Sequence, residues 1–78
     1  MKNKEHLINT QDFSDLLAFI KRIAKENKSN RLLTYFNEYL ETQKESKLKE
    51  CVELSRMLSD TAQKTELKYI LELCKIEF

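Results

Sequence analysis

Not one glycine or proline occurs among the 78 residues, and that absence constrains the fold more than any other feature of the chain. Tight hairpin turns and phosphate-cradling loops call for backbone at positive φ, which glycine adopts most easily. Proline pre-sets many of the remaining turns. A chain lacking both is expected to be all-α, with its helix ends closed by other residues. Hydrophobic residues make up 41% and charged ones 35%, and no apolar run nears the roughly 18 residues of a membrane span. The start, MKNKEHLINTQDF, is basic but has only Leu7-Ile8 as an apolar stretch, so no secretory leader is expected. Cys51 and Cys74 form no CxxC pair, which points to reduced thiols and a cytoplasmic setting.

The apolar residues recur at helical spacing. A first helix is read from about Thr10 to Asn27, with Phe13, Leu16, Leu17, Ile20, Ile23 and Ala24 on one stripe. Asn9 or Thr10 can cap it, Asp12 and Asp15 suit the positive end of its dipole, and Asn27 suits a left-handed last residue. A second helix starts at Ser29 or Asn30 and carries Leu32, Leu33, Phe36, Tyr39 and Leu40, with Tyr35 at its margin. The stretch Glu41–Lys47 has no apolar side chain, and Thr42 and Glu45 match capping-box spacing. A break near Thr42 follows, the alternative being one continuous middle helix. The third helix places Leu48, Cys51, Val52, Ser55 and Leu58 on one stripe. Asp60 and Gln63 again have capping-box spacing and open a last helix with Leu67, Ile70, Leu71, Cys74 and Phe78 inward. The expectation is a single helical domain, a small bundle of about four short amphipathic helices, or three if the middle pair is continuous. Residues 1–8 form a flexible N-terminal segment, or dock through Leu7 and Ile8.

Catalytic signals are sparse. His6 is the only histidine and has no Cys, Asp or Glu at ligand spacing, so neither a metal nor a cofactor is expected. Glu38, Glu41, Glu45, Glu50, Glu53, Glu66 and Glu72 fall on solvent faces. No phosphate loop, nucleophile elbow or zinc-protease motif is present. The chain is read as no enzyme, with no small-molecule substrate. Both cysteines lie on core stripes, where a small buried thiol is the ordinary reading and a disulfide between the last two helices the alternative.

Lys21, Arg22, Lys25, Lys28 and Arg31 stand against the single acid Glu26 and are the candidate residues of an alternative function, a nucleic-acid-binding regulator. Against it, cations collect at helix C-termini for their own stability, and the second helix is too apolar to lie in a groove of DNA.

The most informative stretch is ELKYILELCKIEF. Besides its inward stripe it carries Tyr69, Leu73 and Ile76 on a second one, whereas a surface helix of a small bundle shows one apolar face. Such a helix either sits at the centre of the fold or buries its second face in another chain. Three such side chains supply about 4–9 kcal/mol gross, against about 4–15 kcal/mol for association, so Leu54 and Met57 on the preceding helix, or an exposed Tyr35 and Tyr39, are expected to join them. The reading is a protein–protein interaction module of the adaptor, chaperone, immunity or inhibitor type. It binds a protein partner or itself, a homodimer included, through Tyr69, Leu73, Ile76, Met57 and Leu54. The composition is compatible with a bacterial or phage accessory gene.

Overall fold

Four α-helices account for most of residues 10–76, which the computed structural model describes, and no strand occurs among them. They are α1 (Thr10–Glu26), α2 (Asn30–Thr42), α3 (Glu45–Leu58) and α4 (Thr61–Cys74). The middle pair is therefore two helices and not one. His6, Leu7, Ile8 and Phe78 lie outside the described residues.

The apolar period of α1 organises the bundle. Leu16, Ile20, Ile23 and Ala24 are fully buried, and α1 packs against each of the other three helices. Phe19, which the expected stripe omitted, is buried as well; it stands three residues after Leu16 and four before Ile23, so it widens that stripe on one side. Leu32 and Phe36 of α2, Leu48, Cys51 and Val52 of α3, and Leu67, Ile70, Leu71 and Cys74 of α4 complete the core. Leu40 was expected on the buried face of α2 but is 48% exposed. Phe13 of α1 meets Tyr39 of α2 edge to face, with ring centroids 6.3 Å apart.

The helix ends show how the chain turns without glycine. Lys28, Gln43 and Lys75 hold the left-handed conformation at φ 50, 56 and 59. At the end of α1 the N–H of Ser29 bonds the carbonyl of Ala24 (2.9 Å) and that of Lys28 bonds Lys25 (3.2 Å), the paired closure of a Schellman turn. Asn27 was expected in the left-handed place; instead its side-chain amide donates to the carbonyl of Ile23 at 2.9 Å. Ser29 then caps α2, its hydroxyl accepting from the N–H of Leu32.

Between α2 and α3 the break falls where the polar stretch put it, but the chemistry differs. Thr42 is the last residue of α2, so it cannot cap α3; its hydroxyl donates to the carbonyl of Glu38 at 2.8 Å and accepts from the N–H of Lys44. Lys44 occupies the cap position of α3 with no side-chain bond. The box at Asp60 and Gln63 does form, with both reciprocal bonds made, at 2.8 and 3.0 Å.

One buried polar group stands out. The Ser55 hydroxyl is fully buried without a partner among the described residues, while the carbonyl of the same residue takes the hydroxyl of Ser59 at 2.6 Å.

A residue with a Cβ in the left-handed region costs roughly 1–2 kcal/mol, part of which glycine returns as unfolded-chain entropy. Lys28→Gly and Gln43→Gly are each expected to stabilise by about 1 kcal/mol, a rise of about 4–8 °C in melting temperature. Lys28→Ala serves as the control without gain, and equal melting of the Gly and Ala variants would refute the account. Removing an unsatisfied hydroxyl also relieves its desolvation penalty, so Ser55→Ala is expected to leave stability unchanged or raise it by up to about 1 kcal/mol. A loss larger than that on denaturant titration would show that the hydroxyl has a partner in solution.

Candidate functional site

The two apolar stripes of α4 have different fates because α4 lies at the edge of the bundle. It packs chiefly on α1 and only slightly on α3. One stripe, Leu67, Ile70, Leu71 and Cys74, is thereby buried, and the other keeps Tyr69 61% and Leu73 41% exposed. Ile76 does not continue that second stripe. The helix ends at Cys74, Lys75 turns left-handed, and the N–H of Ile76 bonds back to the carbonyl of Leu71 at 3.0 Å. This turn swings Ile76 onto the core, where it is half-buried. The helical spacing that grouped it with Tyr69 and Leu73 fails because the helix stops first.

Tyr69 and Leu73 border an open groove of about 370 Å³ between α4 and α1, floored by Ile70 and Phe19, with Ala18 on the opposite rim. Polar contacts fix the two helices antiparallel. The Arg22 guanidinium meets the Glu66 carboxylate at 2.9 Å, one turn nearer the end of α1 than the groove centre. The Gln63 amide donates to the Glu26 carboxylate at 2.9 Å. Arg22 also lies 5.1 Å from the centroid of the Phe19 ring, a cation–π arrangement. Asp15 closes the groove at the other end, near Leu73, and accepts from the Gln11 amide at 3.0 Å. The groove is thus apolar along its middle and charged at both ends.

The remaining residues expected at a protein interface are elsewhere. Leu54 is half-buried and packs on the core. Met57 is 77% exposed on α3 and does not line the groove. Conversely, Ala18, Phe19 and Asp15 were not expected at such a site, because nothing in the period of α1 tells which of its flanks α4 will meet.

The five cations of the basic segment are divided. Arg22 is engaged with Glu66 and Phe19, on the flank that meets α4. Lys21, Lys25, Lys28 and Arg31 are exposed. Among the expected solvent carboxylates, Glu38 is half-buried and bridges to Lys47 at 3.2 Å, joining α2 to α3. Glu66 serves the groove, and the others are exposed.

Cys51 and Cys74 are free and buried. Burial pushes the Cys51 thiol up to about 11, with the nearby Glu50 and Glu38 carboxylates adding to the effect. Burial also raises the Cys74 thiol, and after it the charges of Asp12 and Asp15. Thiols held protonated at neutral pH are poor nucleophiles. Among the described residues no three His, Cys, Asp or Glu side chains gather so as to hold a metal ion, and no helix is long and apolar enough to cross a membrane. No family model, curated protein or solved structure matches the chain.

The raised thiols predict an alkaline loss of stability. Above the ordinary thiol value near 8.5 the unfolded chain releases protons that the folded chain keeps, so stability falls as pH rises. The urea midpoint is expected to hold up to about pH 8.5 and to decline as pH climbs toward the Cys51 value of about 11. Replacing both cysteines by Ala is expected to lower the midpoint at neutral pH and flatten the alkaline decline. An unaltered slope in that variant would assign the decline to other groups.

Proposed function

We propose that this chain is a helical protein-interaction module, working in the cytoplasm, and that the face shared by α1 and α4 is the surface it presents. The observation that carries the reading is the exposure of Tyr69 and Leu73 beside an apolar groove. Aromatic side chains such as Tyr are enriched among the anchors of protein interfaces, and Leu73 adds apolar surface beside Tyr69. An adaptor, chaperone, immunity protein or inhibitor would use such a face in the same physical way. Of the residues first assigned to partner binding, Tyr69 and Leu73 are retained as its anchors. Ala18, Phe19 and Ile70 form the bed between them, and Asp15, Arg22 and Glu66 form a charged rim.

Because both anchors are exposed, charge placed there should remove binding without unfolding the bundle. Tyr69→Glu and Leu73→Glu are expected to keep the circular dichroism and melting of the parent chain. Each should lose the proteins that the parent retains from a host extract. Lys25→Glu with Lys28→Glu is expected to retain them, and binding through the apolar face should survive high salt, where phosphate-backbone contacts weaken steeply. If Leu73→Glu unfolds, Leu73 is a core residue and the reading fails. If only the lysine variant loses its partners, the exposed basic corner is the functional surface instead.

A further inference from the structure

The antiparallel course of the four helices gathers two turns, α1–α2 and α3–α4, at one end of the bundle, and the charges divide with them. Arg22–Glu66 and Gln63–Glu26 set the start of α4 beside the end of α1, and Lys47–Glu38 sets the start of α3 near the end of α2. The half that holds the two turns, residues 19–35 and 52–67, carries seven cations and four acids, whereas the other half of the described residues carries five and seven. Of the seven cations Arg22 is paired, with Glu66. Lys21, Lys25, Lys28, Arg31, Arg56 and Lys64 are exposed and make no ion pair among the described residues. Three of the four acids are committed: Glu66 to Arg22, Glu26 to the Gln63 amide and Asp60 to the Gln63 backbone N–H. Arg56 and Lys64 were not among the basic residues singled out in the sequence, since only the topology carries them to the end where Lys28 and Arg31 lie.

The dipoles of the helices do not account for this gathering. Lys25 and Arg56 stand in the last turns of α1 and α3, where a helix favours cations. Arg31 and Lys64 stand near the starts of α2 and α4, where cations are disfavoured, and neither helix has an acid in its first turn. We infer that this end of the bundle docks on the phosphate backbone of a nucleic-acid duplex, as a surface separate from the α1–α4 face. The six cations are spread over all four helices and a turn, and they line no part of the groove. Charge so spread fits an extended polyanion, whereas a small anion needs donors that converge on one point. Among the described residues of this half, Met57 is the one large apolar side chain left exposed. No aromatic face is therefore presented to the bases of a single strand. Nor does an apolar patch accompany the charges, as stable attachment to a membrane requires. The phosphates of a duplex ask for neither. Asn27, Asn30 and Thr61, exposed at the same end, are of the polar kind that joins Lys and Arg at phosphate oxygens. Helix ends rather than a helix side meet the duplex, so the apolar side of α2 stays in the core and no base edge is read.

The test is fluorescence anisotropy of a labelled DNA duplex of about 20 base pairs, titrated with the full chain at about 50 to 200 mM salt. Circular dichroism confirms that each variant stays helical. Binding in the micromolar range is expected at the lowest salt. With four or five phosphates contacted, the log–log slope on salt should be about −4, a loss of about 100- to 500-fold across that range. Lys25→Glu with Lys28→Glu should weaken binding by about tenfold or more and flatten the slope by about 2. Lys44→Glu with Lys49→Glu makes the same change of net charge in the other half, and should leave binding within about threefold of the parent. Arg31→Gln with Arg56→Gln repeats the loss should charge reversal at Lys25 and Lys28 melt the end of α1. Leu73→Glu should also bind within about threefold of the parent, so failure of this surface and failure of the α1–α4 face are read separately.

A parent chain that leaves the duplex free at about 50 mM salt overturns the inference. So does an equal loss in the Lys25/Lys28 and Lys44/Lys49 variants, which would make the attraction one of net charge alone. Tighter binding of a single strand of the same length overturns the choice of a duplex. Retention on vesicles of phosphatidylcholine with about one-third phosphatidylserine, at a salt where the duplex is released, assigns this end to a membrane surface instead. A preference for one duplex over another of scrambled sequence overturns contact through phosphates alone.

Discussion

Burial of a single stripe of α1 is the interaction on which the rest of the bundle depends. Leu16, Ile20, Ile23 and Ala24 are out of contact with water because α2, α3 and α4 all lean on the same helix. Each fully buried aliphatic side chain of this kind contributes about 1.5–3 kcal/mol relative to an exposed one, and large-to-small changes there cost about 2–5 kcal/mol. That is comparable to what one core supplies to a chain of this size. The α2–α3 hairpin and α4 occupy separate sides of α1 and touch each other little through α3 and α4. The polar clasps, Arg22–Glu66 and Lys47–Glu38, sit at the surface, where ion pairs set register more than they add stability.

The central place of α1 leaves α4 at the margin, and this position gives the molecule its candidate site. Were α4 central, Tyr69 and Leu73 would be core residues. Packed on one side only, it buries one stripe and presents the other beside α1. The groove inherits its character from both helices: an apolar floor from Phe19 and Ile70, which are core residues seen from outside, and charged ends from Asp15 and the Arg22–Glu66 pair.

Much of the architecture was legible because helix period and turn chemistry are local. Most of the stripe residues of the four helices, the breaks between them, the start of α2 beside Ser29 and the Asp60–Gln63 box rest on residues within a few positions of each other, and these are found. The errors are local too. Asn27 yielded the left-handed position to Lys28, and Thr42 was drawn into the end of α2, because the residue that terminates a helix depends on where neighbouring helices oblige it to stop. Phe19 and Leu40 were misjudged at the margins of their stripes, where burial depends on the width of the helix packed opposite.

From the sequence alone came the all-α class, a small bundle of four helices or three, and the recognition that the last helix has two apolar sides, since each follows from spacing along one segment. Which side faces outward was beyond it. Burial is decided by the helix that packs across the way, and neither the edge position of α4 nor the flank of α1 that it meets is encoded in either segment by itself. The fate of Ile76 shows the same division. The spacing from Tyr69 and Leu73 is helical, but the left-handed turn at Lys75 folds Ile76 back onto the core. The meeting of Asp15, Ala18 and Arg22 with Tyr69 and Leu73 on one surface joins residues about fifty positions apart. Only packing brings such distant residues together.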